Sequence, residues 1–251
     1  MNELLDLAVQ IAKNAGALLL ERPDQLSIDT KTSNLDIVTQ MDKASEKMIV
    51  AAILAARPDD GIIGEEGADR PSKSDYTWVI DPIDGTVNYF YNMHGWSVSI
   101  AIRDSQGVAV GVVYAPTINS MYTAVRGGGS FLNGKRLKCN EPIELDKALL
   151  ATGFHYVKEF REVQVKQFNN LILNVRDIRR NGSAAIDICH VAAGFVDGYY
   201  EIGLHPWDRD AADLIASEAG AKVTVHQLPK GELTIAAGPH LHQLLSANLL
   251  G

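Results

Sequence analysis

The chain is poor in cysteine, in aromatic residues and in basic charge. Its two cysteines, Cys139 and Cys189, lie far apart and make no C-x-x-C pair, and the seven histidines have no zinc-site spacing with either. A disulfide framework is excluded, and a reducing compartment is the expected home. No uninterrupted apolar run approaches the ~18 residues of a membrane span. Residues 1–6 carry two acids where a secretory leader would carry positive charge, so neither membrane insertion nor export is expected and the cytoplasm is. Basic residues number 23 against 31 acidic ones, a formal charge of −8. That sign repels phosphodiester backbones and disfavours direct nucleic-acid binding. Several nucleotide and hydrolase signatures are also missing. There is no G-x-x-x-x-G-K-[ST], no G-x-G-x-x-G after a strand and no G-x-S-x-G. Asp81 and Asp84 have two residues between them, which is not the Asp-x-Asp nucleophile spacing of haloacid-dehalogenase phosphatases.

What is present is an ordinary globular composition. The 251 residues are 46% hydrophobic and 22% charged, enough for one large domain or two small ones. Leu4, Ala8, Ile11, Ala15 and Leu18 form one apolar stripe of a helix that ends near Pro23. Residues 24–36 read as turns with at most a short strand. Residues 41–57 lack Gly and Pro and predict a second helix, with Ala44, Met48, Ala51, Ala52 and Ala55 on its buried face. Two short apolar runs follow, 61–64 and 77–80, and each stops at an acid; residues 68–74 between them read as a mobile surface loop. Residues 96–102, 108–114 and 121–126 are strand-like. Gly127-Gly128-Gly129 reads as turn glycine, and Asn133-Gly134 is a hairpin signal. After Pro142 the pattern alternates: strands near 148–152, 199–201, 223–225 and 233–237, helices over 159–173, 183–195 and 208–219, and a last helix after Pro239. His240 and His242 read as surface residues of that helix, and Cys189 and His190 as packing. Helices, then an antiparallel meander, then alternating elements predict an α/β fold of stacked layers. The expected seam lies near residue 145, dividing parts 1–145 and 146–251 of one compact unit.

The chemistry is carried by acids placed at the ends of hydrophobic elements. In Asp81-Pro82-Ile83-Asp84-Gly85-Thr86, two carboxylates flank a proline-stiffened turn directly after a strand. If Asp84 caps a following helix, the amides of Gly85 and Thr86 face outward as an anion site. Glu65-Glu66 ends the preceding apolar run, and Trp207-Asp208 begins a later helix. Taken singly, each has a plain reading: an acid-rich turn, a surface pair, a helix start. Taken together, they suit hard divalent cations, which prefer carboxylate and carbonyl oxygens and share their shell with water and substrate phosphate.

The blocks Gly64-Glu65-Glu66, Trp78-Val79-Ile80-Asp81-Pro82-Ile83-Asp84-Gly85-Thr86-Val87-Asn88-Tyr89 and Leu204-His205-Pro206-Trp207-Asp208 resemble the inositol monophosphatase family. Asp36-Ile37-Val38-Thr39-Gln40-Met41-Asp42, Gly182-Ser183-Ala184-Ala185 and Asp197-Gly198-Tyr199-Tyr200-Glu201 also match, and Arg179-Arg180 and Gly153-Phe154-His155-Tyr156 resemble its bacterial members. The resemblance implies alternating αβαβα layers, a homodimer and a Mg²⁺-dependent, Li⁺-sensitive phosphomonoesterase. Glu65, Asp81 and the Ile83 carbonyl resemble its first metal site, and Asp81, Asp84 and Asp208 its second. Glu65 is also implied in a weaker third, giving two or three Mg²⁺ per site. Gly85 and Thr86 resemble the phosphate-binding amides. Asp42 and Thr86 resemble the pair that orients a metal-activated water; the plain alternative is that Asp42 only caps its helix. Asp84, Gly182, Ser183, Ala184 and Glu201 line the implied substrate wall. Inositol 1-phosphate is the first expected substrate. Fructose 1,6-bisphosphate, histidinol phosphate and adenosine 3′,5′-bisphosphate are alternatives, as is a regulatory protein of this fold that partners transcription or RNA machinery. The aromatic segment 89–96 is the expected dimer contact.

Overall fold

The computed structural model describes residues 1–31 and 35–250. In chain order the elements are α1 (Asn2–Leu20), β1 (Ile28–Thr30), β2 (Ile37–Thr39), α2 (Gln40–Ala56), β3 (Gly61–Gly64), β4 (Asp69–Arg70), β5 (Thr77–Asp84) and α3 (Thr86–Phe90). The meander follows as β6 (Ser97–Asp104), β7 (Gly107–Ala115), β8 (Ser120–Val125), β9 (Gly129–Leu132) and β10 (Lys135–Arg136). Then come β11 (Leu149–Thr152), α4 (Lys158–Ile172), β12 (Asp177–Arg179), α5 (Ala184–Ala193), β13 (Gly198–Ile202), α6 (Pro206–Glu218), β14 (Lys222–Gln227), β15 (Glu232–Ala237) and α7 (Pro239–Leu250).

Two large sheets organise the molecule. One has eight strands in the order β10-β9-β8-β7-β6-β5-β3-β4, the other five in the order β12-β11-β13-β15-β14. Within the first, β5 to β10 form the expected antiparallel meander, while β3 runs parallel to β5. Asn133 and Gly134 both adopt positive φ at the β9–β10 hairpin, as the two-residue turn requires. Helices α1 and α2 cover one face of the eight-stranded sheet, α5 and α6 lie between the two sheets, and α4 and α7 cover the far face of the second. The layers are therefore αβαβα. Three apolar clusters fill the gaps, built around Ile11, Trp78 and Ile100, around Ile188, Tyr199 and Ile215, and around Leu171, Ile235 and Leu245.

Several local expectations are corrected. In α2 the buried face is Met41, Ser45, Ile49 and Ile53 with Asp42 and Glu46; Ala51 and Ala55 are exposed. Two isoleucines bury far more apolar area than a row of alanines, and the buried polar groups on this face all have hydrogen-bond partners. In residues 68–74, Asp69 and Arg70 pair with β3, and Ser72 Oγ holds the Tyr76 carbonyl at 2.8 Å. Residues 24–36 do hold the short strand read from the sequence, β1, paired to β2, while 32–34 lie outside the described residues. Strand β12 was not expected. His242 is 2% exposed, its Nε2 2.7 Å from the Thr224 hydroxyl, so it faces the sheet rather than solvent. The aromatic segment splits: Tyr89 and Trp96 pack edge to face in the core, and Tyr91 and Met93 stand exposed. Among the described residues, no helix is long and apolar enough to cross a membrane.

Candidate active site

Strand register brings the first acids together. Because β3 and β5 run parallel with Gly64 beside Ile80, the next residues, Glu65 and Asp81, leave the sheet at the same edge. The Glu65 amide donates to the Ile80 carbonyl at 3.2 Å and locks that alignment. Strand β5 does not stop at Asp81. It continues through Asp84 with an irregularity between the two acids, and Asp81 Oδ1 accepts the Ile83 amide at 2.9 Å. The turn therefore points both carboxylates and the Ile83 backbone into one cleft.

Helix α6 supplies the next acid. Ser99, which pairs with Asp81, donates from its hydroxyl to the Trp207 carbonyl at 3.2 Å, setting the first turn of α6 against the end of β5. Pro206 stands at the start of that helix, where its missing N–H costs nothing. Asp208 Oδ2 accepts the His205 amide at 2.6 Å.

Asp84 does not cap α3, whose N-cap is Gly85 at φ 95°. It binds the start of α5 instead, whose N-cap is Ser183: its carboxylate accepts the Ser183 hydroxyl, the Ala185 amide at 2.8 Å and the Ala184 amide at 3.2 Å. Four orphan amides at the start of a ten-residue helix attract a carboxylate more strongly than a five-residue turn does. This one side chain therefore ties the Gly182–Ala184 wall to the acidic turn. The first amides of α3 have no intrahelical acceptor.

Behind the cleft floor lies Asp42, fully buried. Its Oδ2 accepts the Thr39 amide at 2.8 Å and the Thr39 hydroxyl at 2.6 Å, a capping box; its Oδ1 accepts the Thr86 hydroxyl at 2.9 Å. The helix-cap reading and the Thr86 pairing thus both hold. On the opposite wall, Tyr199 and Glu201 project from the same face of β13, and the tyrosine hydroxyl donates to Glu201.

Glu65, Asp81, Ile83, Asp84, Gly85, Thr86, Gly182, Ser183, Ala184, Glu201 and Asp208 line one cleft of about 330 Å³. Burial raises the pKa of Asp81 and Asp208, with Glu65 the next contributor to both. Burial also lifts Asp84 to about 6 against the pull of Ser183 and Ala185, and Glu201 to about 7. Such a set of buried acids is short of positive charge, which is the electrostatic condition for cation binding. Among the described residues, no three Asp, Glu, His or Cys side chains are drawn together as a ready-made metal cluster. A divalent cation held there would draw the rest of its shell from backbone carbonyl, water and phosphate oxygens.

The sign of the pH dependence follows. An acid whose folded pKa is raised destabilises the metal-free fold as pH climbs from its unfolded value, near 4, through its folded value. A divalent cation would bind only the ionised groups and so would offset that loss. The rise in Tm on adding Mg²⁺ should therefore be larger at about pH 7.5 than at about pH 5. An equal rise at both, measured by calorimetry, would remove the acids from cation binding.

Lys31 and Asp187 line the cleft, and the sequence motifs do not single them out as site residues. Lys31 Nζ lies 2.8 Å from Glu65 and 2.5 Å from Glu66. Nothing in its polar surroundings marks it. Asp187, lifted by burial to about 7, accepts the Asn181 side-chain amide at 2.5 Å. It was visible as the one acid in the apolar helix Ala184–Ala193. Tyr199, which the sequence places in a short strand within a family-like block, is fully buried and supports Glu201 from behind the lining.

A family profile described as the inositol monophosphatase family matches residues 1–247. The protein named Nus factor SuhB from Pasteurella multocida is 43% identical over 98% of this chain and 96% of its own. The extragenic suppressor protein suhB of Bartonella henselae superposes with TM-score 0.92 at 31% identity, covering 98% of each chain. An inositol monophosphatase from Anabaena does so with TM-score 0.86 at 34% identity, covering 99% of this chain and 96% of its own. On the profile and these relatives together, the chain belongs to the inositol monophosphatase family.

Proposed function

We propose that this protein is a Mg²⁺-dependent phosphomonoesterase acting on inositol 1-phosphate or a related polyol phosphate. The observation that carries the reading is the convergence of Glu65, Asp81, Asp84 and Asp208 on one cleft that is also lined by Gly85 and Thr86 at the start of α3. In this reading Glu65, Asp81 and the Ile83 carbonyl hold one Mg²⁺, and Asp81, Asp84 and Asp208 a second. Bound there, Mg²⁺ would acidify an attacking water and neutralise charge on the phosphate and the leaving oxygen. The chain's own groups do the rest. The Gly85 and Thr86 amides seat the phosphate. Thr86 Oγ1 has a single hydrogen and two acceptors within reach, Asp42 Oδ1 at 2.9 Å and the Ile83 carbonyl at 3.1 Å. The charge-assisted bond to Asp42 is the stronger. It leaves the Ile83 oxygen free for a cation and a Thr86 lone pair free to accept from water. Asp42 then draws the proton through Thr86.

Glu201 gives the substrate preference. A carboxyl held by Tyr199 on the far wall can bond the hydroxyls of a polyol leaving group but has nothing to offer a nitrophenol. Glu201→Ala should lower turnover of inositol 1-phosphate and spare p-nitrophenyl phosphate. Equal losses on both, in steady-state kinetics, would make Glu201 structural. A phosphate-release screen across a panel of phosphomonoesters identifies the preferred leaving group.

A second reading has its own support, since relatives including the Pasteurella protein are named Nus factors. In it the chain is a regulatory partner of transcription or RNA machinery. With a net charge of −8, contact through a protein partner is favoured over contact with a phosphodiester backbone. Asp81→Asn separates the two readings, because it removes hydrolysis and leaves a binding surface outside the cleft intact.

A further inference from the structure

Helix α2 touches three separate pieces of the candidate site from one face. At positions i, i+3 and i+4, Asp42 holds Thr86, Ser45 Oγ donates to the Pro82 carbonyl at 3.3 Å, and Glu46 reaches the turn after β3. Glu46 is 6% exposed. Its two oxygens take separate backbone donors, Oε2 the Glu66 amide at 2.9 Å and Oε1 the Ala68 amide at 3.0 Å. The turn is further closed by the Gly64 amide on the Ala68 carbonyl at 2.7 Å. Position 64 must be glycine for this approach, because a Cβ there would overlap the Glu46 carboxylate. The Glu65 backbone thus sits between two restraints, while its carboxylate pairs with Lys31. Its own amide is fixed to β5, and the amide of the next residue is fixed to α2.

We infer that Glu46 is a positioning residue for the cation site: by clamping the Gly64–Ala68 turn to α2, it aims Glu65 into the cleft and sets Mg²⁺ affinity. The inference rests on Glu65 being a cation ligand. Glu46 does not face the cleft and touches neither substrate nor cation. A carboxylate bound by two amides is a strong, charge-assisted clamp. An amide in its place keeps one acceptor and turns an N–H toward the other donor. Partners that orient metal ligands typically contribute about 10–100-fold to affinity.

The test is Mg²⁺ binding to the full chain by titration calorimetry, alongside kinetics and Tm. Glu46→Gln should raise the Mg²⁺ dissociation constant by about 10–100-fold, with a smaller loss in kcat at saturating Mg²⁺. Glu46→Asp, which keeps the charge, should recover part of the affinity and serves as the milder variant. Asp60→Asn is the control for stability alone. Asp60 is equally buried at the opposite end of β3, bonded to Trp78 Nε1 at 2.9 Å and Ser74 Oγ at 2.6 Å. It should lower Tm without moving Mg²⁺ affinity. The inference is overturned if Glu46→Gln loses stability as Asp60→Asn does yet binds Mg²⁺ like wild type while Glu65→Gln binds it weakly. If Glu65→Gln itself binds Mg²⁺ like wild type, the ligand assignment falls and the inference falls with it.

Discussion

Asp81→Asn is expected to abolish phosphate release and to leave the fold intact. Asp81 is the residue the proposed sites share, so its loss removes a ligand from both cations at once. The effect should exceed the ~10–100-fold typical of a partner that only orients a ligand. Stability should move the other way. Asp81 is 2% exposed, and burial with Glu65, Asp84 and Asp208 around it pushes its carboxyl well above the usual carboxylate range. Replacing it by a neutral isostere removes that repulsion. In EDTA at neutral pH the variant should therefore melt no lower than wild type. Activity and Tm are both read from the same preparation; wild-type turnover in the variant would sink the cation mechanism.

The second large effect is on the water-orienting pair. Thr86→Ala and Asp42→Asn should each lower kcat by about 10²–10⁴, the usual contribution of a general base. Since Asp42 acts only through Thr86, the double variant should be little worse than either single one. Stability separates the two roles of Asp42. Its second oxygen closes the capping box with Thr39, so Asp42→Asn also weakens a cap worth about 1 kcal/mol. For a chain of this size that is about 2–4 °C in Tm. Thr86→Ala leaves the cap untouched and should melt close to wild type. Independent, multiplying losses in kcat would break the relay and leave Asp42 as a cap.

How much of this was legible depends on what kind of signal each residue gives. The acids at 65, 81, 84 and 208 stood out because each interrupts or borders a hydrophobic element, a pattern that local sequence carries. Parallel pairing of β3 with β5 then made neighbours of Glu65 and Asp81, which no local pattern encodes. The sequence offers Asp84 as a possible cap of the helix directly after it, yet the helix whose first amides it binds begins 100 residues later. A cap is chosen by which orphan amides lie within reach, so sequence distance is a poor guide. The α2 face was misread because alanines were counted as core, although Ile49 and Ile53 bury more area and Asp42, Ser45 and Glu46 find partners inside. His242 was taken for surface on polarity alone. It is buried because Thr224 offers it a hydrogen bond across the sheet. Lys31 sits in a polar stretch and becomes visible only when the fold brings Glu65 and Glu66 to its ammonium.

The central claim is that this cleft hydrolyses a phosphomonoester only when its carboxylates hold Mg²⁺. The direct measurement is the initial rate of phosphate release from inositol 1-phosphate by the wild-type chain as free Mg²⁺ is raised from an EDTA-buffered zero. The account predicts no release without Mg²⁺ and a saturable rise with it. Release in EDTA equal to that in Mg²⁺, or none at any Mg²⁺ concentration, would contradict it.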